Sequence, residues 1–207
     1  MTSEQSEKNL LLIFTKNPVA GKVKTRLAKD VGDKKALEIY QFLLDHSVKF
    51  TSKVVATRQV WYSDEIKNSD IWDNDLFQKK EQFSSPDLGE RMQHAFENGF
   101  SEGFERILII GTDLYDISEE DIRLAFESLN NHDFVIGPAT DGGYYLLGMK
   151  SLNSEIFKNK NWGTNTVLEN TLQDLQEYQL KLMEPRNDID YLDDIKDHPA
   201  FQKFIEL

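Results

Sequence analysis

The chain contains no cysteine. That excludes a disulfide framework, a thiolate metal site and a cysteine nucleophile, and it suits a reducing compartment. Histidine is sparse: His46, His94, His132 and His198 show no HxxxH spacing, and no serine sits in a GxSxG turn. Zinc-hydrolase and serine-hydrolase chemistry are therefore disfavoured. Positive charge is also short, with 24 Lys and Arg against 36 Asp and Glu and a net of −12. Such a field repels nucleic acid and anionic membrane surfaces, so neither is expected as a partner. Apolar runs reach only about five residues, far below a membrane span or a signal-peptide core, and the leading MTSEQSEK is polar. A cytoplasmic protein is expected. Five Pro, 11 Gly and the lack of any fixed-period repeat or Gly/Ser linker suggest one domain over residues 1–207.

What the chain does have is alternation. Leu10 to Phe14 and Ile107 to Ile110 are continuous apolar runs ending in loops, the pattern of strands buried on both faces. Phe134 to Ile136, Tyr144 to Met149 and, more weakly, Val54 to Tyr62 are further strand candidates. Between them, Ala36, Ile39, Tyr40, Leu43, Leu44 and Val48 recur at helical spacing, as do Leu88, Met92, Ala95 and Phe96. Ser118 before Glu119-Glu120-Asp121 predicts a helix start. Thr164 or Asn165 is expected to cap another helix through Val167, Leu168, Thr171, Leu172 and Leu175. Repeated β-α order predicts an α/β layered sheet. The irregular stretch from Ser63 to Glu81 reads as a solvated connection.

Residues 16 to 35 hold seven basic and two acidic side chains, leaving 17 basic and 34 acidic elsewhere. Positive charge thus gathers where the first strand opens into a loop, and ligands of open α/β sheets sit at that edge. Gly21 with nearby backbone N–H groups and cations can wrap a polyphosphate. The loop is neither GxxxxGK[ST] nor GxGxxG, so ordinary ATPase and dinucleotide readings lose support. A lysine-rich surface loop is the plain alternative.

Asp113 follows the central strand directly and would face the same crevice, where one carboxylate with substrate phosphates and water can hold Mg²⁺ or Mn²⁺. Asp116 could reach the same ion if Leu114-Tyr115 turns; the alternative for both is capping or turn formation. In Gly137-Pro138-Ala139-Thr140-Asp141-Gly142-Gly143-Tyr144-Tyr145, adjacent glycines suit a backbone close to a ligand, and Asp141 can accept from sugar hydroxyls. Asp-Gly is equally a hairpin turn. Near the C-terminus, Asp188 and Asp190 alternate around Ile189, where a second metal ligand or a helix cap is expected.

Taken in order, KNPVAGKVKTRL, GTDLYD, GPATDGGYYLLGM, NWGTNTVLENTL and the late DID resemble a bacterial family of small GT-A-type nucleotide-sugar glycosyltransferases with a DUF2064-type domain, from about Leu10 to Ile195. The resemblance implies a three-layer α/β/α fold with a mostly parallel sheet, of the nucleotide-diphosphosugar transferase type and related to 2-phospholactate guanylyltransferases. It implies nucleotide contacts from Lys16, Pro18, Gly21, Lys24 and Arg26, divalent metal at Asp113, and a sugar or acceptor side lined by Gly142, Gly143 and Tyr144. Two positions depart from the family pattern. The usual Ser-Asp-Cys-Pro is here Thr112-Asp113-Leu114-Tyr115, and the usual Glu-Asp-Gly-Gly has Thr140 in its first place.

The expected chemistry is transfer of a sugar from a nucleotide diphosphosugar to a small hydroxyl acceptor. Mg²⁺ or Mn²⁺ would bind at Asp113, with Asp116 or Asp188 assisting; Lys24 and Arg26 would neutralise phosphate charge, and Asp141 would serve the acceptor. Nucleotidyl transfer and a nucleotide-binding protein without turnover are the alternatives.

Overall fold

The computed structural model describes residues 8–205, so the polar leader before Lys8 lies outside the described residues. Seven strands form one sheet: β1 (Asn9–Thr15), β2 (Thr57–Tyr62), β3 (Gln78–Glu81), β4 (Arg106–Ile110), β5 (Phe134–Pro138), β6 (Tyr144–Met149) and β7 (Leu180–Leu182). The helices are α1 (Ala28–Val31), α2 (Asp33–Thr51), α3 (Leu88–Ser101), α4 (Glu119–Ser128), α5 (Val167–Asp174) and α6 (Gln202–Ile205), with three short 3₁₀ turns. The strand order is β3-β2-β1-β4-β6-β5-β7. Neighbours pair in parallel except β6, which is antiparallel to both β4 and β5. Its reversal follows from the short Ala139–Gly143 turn out of β5, which is too short for a parallel crossover.

Side-chain alternation divides the strands between two cores. Leu10, Leu12, Trp61, Ile107, Ile109, Phe134, Ile136 and Leu147 pack with Met92, Ala95 and Phe96 of α3 and with Leu168 and Leu172 of α5. Leu11, Ile13, Val60, Tyr62, Leu108, Ile110 and Val135 pack with Tyr40 and Leu44 of α2 and with Ile122, Ala125 and Phe126 of α4. The architecture is thus a three-layer α/β/α sandwich. Among the described residues no helix is long and apolar enough to cross a membrane.

The five anticipated strands form; β3 and β7 come in addition. Both are edge strands with little apolar content, QKKE and LKL, so periodicity carries no signal for them. The stretch from Ser63 to Glu81 is less solvated than expected. Trp72 and Phe77 are buried in the second core, while Asp70 accepts from the Tyr62 hydroxyl and pairs with Lys79 at 2.8 Å. The N-cap of α5 is Thr166, not Thr164 or Asn165, and its side chain makes no capping bond.

After β7 the chain runs beside the end of β5, where Ala139 pairs with Arg186. It then builds a third core in which Ile189, Ile195 and Phe201 meet Leu27, Ile39 and Leu43. This core fastens the C-terminal segment to the basic loop. Helix α4 starts as its sequence indicates: the Ser118 hydroxyl accepts from the Asp121 N–H, and the Asp121 carboxylate accepts from the Ser118 N–H at 2.9 Å. Ser118→Ala should lower stability by about 1 kcal/mol without changing the urea m-value. Equilibrium urea denaturation checks this.

Candidate active site at the carboxyl edge of the sheet

The carboxyl ends of β1, β2 and β4 open on a cleft of about 540 Å³, a size that suits a small-molecule ligand. β1 delivers the basic loop, β4 delivers Gly111 to Asp113, the β5–β6 turn delivers Asp141 and Gly143, and the first residue of β6 is Tyr144. The C-terminal segment brings Asp188 and Asp190. The N–H of Ile189 donates to the Asp113 carbonyl at 3.1 Å, and the Ile189 side chain is buried, so the flanking aspartates stand at the cleft.

Lys24 joins these segments. It has a positive φ of 47°, uncommon for a residue with a side chain, and its side chain is only 3% exposed. Its Nζ lies 2.5 Å from Asp113 Oδ1 and 3.3 Å from Asp190 Oδ1. Burial opposes the charge, but the two carboxylates outweigh it and hold the ammonium above the ordinary lysine range. Arg26 Nη1 lies 2.9 Å from Asp190 Oδ2, with its guanidinium over the Tyr191 ring. Tyr40 of α2 clamps the same region. Its hydroxyl donates to the Lys16 carbonyl, accepts from the Lys16 N–H, and lies 3.3 Å from Thr112 Oγ1.

Asp188 is the most perturbed acid. Its Oδ1 is buried with no hydrogen-bond partner. Burial first, and then the negative charges of Asp113 and Asp141, push its carboxyl up to about 7 against the opposing Lys24. A shielded oxygen among carboxylates calls for a proton or a cation. Oxygen donors of this kind match hard divalent ions such as Mg²⁺ or Mn²⁺. No group of three or more His, Cys, Asp or Glu among the described residues could hold a metal. An ion held by Asp113 and Asp188 would therefore take its other ligands from phosphate and water.

Lys16, Lys24, Arg26, Asp113, Asp141, Gly143, Tyr144 and Asp188 all line the cleft. The remaining candidates do not. Pro18 and Gly21 are exposed outside the lining; Gly21, at a φ of 74°, lies in a turn closed by the Lys22 N–H on the Val19 carbonyl, and Pro18 precedes that turn. Gly142 has a φ of 90°, and a Cβ there would lie 2.3 Å from the Asn165 carbonyl oxygen. Close approach of two backbones therefore explains that glycine. Asp116 pairs with His198 at 3.3 Å, away from the cleft. Tyr115 carries the chain there by stacking on Phe42 at 5.3 Å and packing edge-on to Phe201. Those aromatic contacts hold the turn where the family pattern has proline. Thr140 bonds Asn187 through its hydroxyl.

Asp190, expected only as a companion to Asp188, is the acid that binds both Lys24 and Arg26. Gln82, Arg91 and Trp162 also line the cleft, and none of them is marked by the sequence. Gln82 and Arg91 come from stretches with no motif, and Trp162 lies within NWGTNTVLENTL, where the spacing gives it no signal of its own.

A family model described as "Uncharacterized protein conserved in bacteria (DUF2064)" matches residues 47–164. The chain is similar to a Desulfovibrio desulfuricans G20 protein provisionally assigned as a nucleotide-diphospho-sugar transferase. Identity is 28%, coverage is 95% of this chain and 91% of that one, and the TM-score is 0.85. It shares its fold with 4-diphosphocytidyl-2C-methyl-D-erythritol synthase from Anaerococcus prevotii DSM 20548 (11% identity, 97% and 98% covered, TM-score 0.60). The same holds for a cytidylyltransferase from Leptospira borgpetersenii serovar Hardjo-bovis (14% identity, 91% and 83% covered, TM-score 0.59). A search of curated proteins finds no match. The fold is therefore of the nucleotide-diphosphosugar transferase type.

The state of Asp188 has a measurable consequence. Its folded-state carboxyl titrates near 7, above the usual aspartate value of 3.8, so the native chain binds the extra proton and stability falls as pH rises from about 4 to 7. In chelator-treated buffer, Asp188→Asn should be more stable than the parent by a few kcal/mol at pH 8, with the gap narrowing toward pH 4. Urea melts across that range measure the difference.

Proposed function

The chain belongs to the DUF2064 family, and on that premise we propose that it transfers a sugar from a nucleotide diphosphosugar to a small hydroxyl acceptor. The supporting observation is the meeting, in one cleft, of the cations Lys24 and Arg26 with Asp113, Asp188 and Asp190. Asp113 and Asp188 are the residues to hold Mg²⁺ or Mn²⁺. Such an ion would supply charge for the departing diphosphate, a contribution of several kcal/mol in comparable chemistry.

The protein groups divide the remaining work. Arg26, Lys16 and Lys22, the last two without an ion-pair partner among the described residues, line the cleft where the diphosphate would lie, and preorganised cations stabilise charge that develops as the bond from the anomeric carbon to the phosphate oxygen breaks. Lys24 is a positioning residue: its ammonium is committed to Asp113 and Asp190, so it fixes those carboxylates in place of meeting phosphate itself. Asp141 has one oxygen on the Gly143 N–H at 2.9 Å, and its other oxygen is available to an acceptor hydroxyl. The acceptor oxygen forms the new bond to the anomeric carbon, the diphosphate leaves with the electron pair, and Asp141 takes the proton. The cytoplasm is the compartment that fits this chemistry, with a soluble sugar nucleotide and a small acceptor as partners.

A second reading is nucleotidyl transfer. It is favoured by Lys16 and Lys22, which line the cleft without an ion-pair partner among the described residues and offer charge for a third phosphate. The products separate the two. Sugar transfer, or slow transfer to water, releases a nucleoside diphosphate; nucleotidyl transfer from a triphosphate releases pyrophosphate.

Incubation with a panel of sugar nucleotides and Mn²⁺ should release nucleoside diphosphate, and Asp113→Asn and Asp188→Asn should each cut Mn²⁺-dependent nucleotide binding roughly 10-fold or more while circular dichroism stays unchanged. Pyrophosphate release from triphosphates alone would select the second reading. Unaltered Mn²⁺ dependence in both variants would remove the two aspartates from the site.

A further inference from the structure

The cleft is asymmetric about its centre. Its carboxylates Asp113, Asp141, Asp188 and Asp190 all come from the ends of β4 and β5 and from the C-terminal segment. The opposite side, at the ends of β2 and β3, is built differently. It presents Ser63, Gln82 and Arg91 with the apolar Phe14, Leu88 and Met92. Leu88, Arg91 and Met92 share one face of α3 through their spacing of three and four.

Arg91 has no carboxylate partner among the described residues. Its Nη1 donates to Gln82 Oε1 at 3.1 Å, and its Nε is buried with no partner. The Gln82 amide nitrogen in turn donates to the Trp61 carbonyl at 2.9 Å, so the carboxamide is held at both ends. The Ser63 hydroxyl donates to Asp64. What remains for a ligand is a guanidinium fork with donors only, fixed by Gln82 and bordered by apolar walls. Carboxylates suit the hydroxyls of a sugar; apolar walls with donors at one edge suit a flat heteroaromatic ring.

We propose that this side of the cleft takes the base of the nucleotide and that Arg91 selects a base edge with two adjacent acceptors. Guanine offers O6 with N7, and cytosine offers O2 with N3. Adenine places an amino donor beside its ring acceptors, and uracil places N3–H between its carbonyls, so neither matches two parallel N–H donors. The inference rests on the nucleotide reading above and deepens it by naming the base class. Gln82 then holds the fork in one orientation, which lowers the entropy lost on binding.

Calorimetric titration of GDP, CDP, UDP, ADP and inorganic pyrophosphate in the presence of Mg²⁺ tests it. GDP or CDP should bind about 10-fold or more tightly than UDP and ADP, and the two favoured arms show which base is taken. Arg91→Met keeps the apolar stem, and should erase the preference while changing pyrophosphate affinity less than about 2-fold. Arg91→Lys keeps the charge without the fork and should erase the preference too, which separates base reading from general attraction. Equal binding of the four nucleotides by the parent overturns the inference and leaves the nucleotide reading standing. Equal losses for pyrophosphate and GDP or CDP in Arg91→Met would make Arg91 a phosphate ligand and also overturn it. Failure of every nucleotide to bind overturns both.

Discussion

The structure turns on the buried ammonium of Lys24. Three segments far apart in the chain meet at it: the loop after β1, the tip of β4 and the C-terminal run through Asp190. An unpaired charge at that depth would cost several kcal/mol, so the two aspartates are needed as much as the lysine. Pairing fixes their positions before any ligand arrives. The left-handed backbone at Lys24 is consistent with that demand, since a conformation disfavoured for a side-chain-bearing residue persists only where its surroundings hold it.

Geometry around this ion cluster depends on packing at some distance from it. Ile189 is anchored in the third core and bonded to the Asp113 backbone, and it carries Asp188 and Asp190 to the cleft on either side. Tyr115 and Phe42 hold the turn after Asp113. Tyr40 ties the β1 loop to Thr112. A rigid frame of this sort leaves Asp188 as the one acid with a shielded, unpartnered oxygen among the described residues, and that is where a proton or cation is called for. Preorganised charge of this type costs no rearrangement when a reaction develops charge beside it.

Legibility in the sequence followed local signal strength. The runs at β1 and β4 are apolar throughout because both faces of the sheet are covered, and such runs are visible without partners. Asp113, with only Gly111 and Thr112 between it and the end of β4, reads as a residue at the carboxyl edge for the same reason. β3 and β7 are short polar edges whose existence depends on hydrogen bonds to a neighbour, which no local pattern reveals. The placement of Asp116 depends on aromatic contacts between Tyr115 and residues on α2 and near the C-terminus, and sequence spacing is silent on those. Lys24 was expected to face phosphate; its pairing with Asp113 and Asp190 is a long-range event. Arg91 left no trace because an arginine on one face of an amphipathic helix is indistinguishable from a solvated one.

The proposed chemistry stands or falls on whether the acidic wall facing Lys24 takes a divalent ion. Crystals grown with Mn²⁺ and a nucleoside diphosphate, measured at a wavelength where manganese scatters anomalously, decide it. One strong peak is expected within about 2.3 Å of carboxylate oxygens from both Asp113 and Asp188, with phosphate oxygens completing the shell. A bound diphosphate with no manganese at those two residues would contradict it.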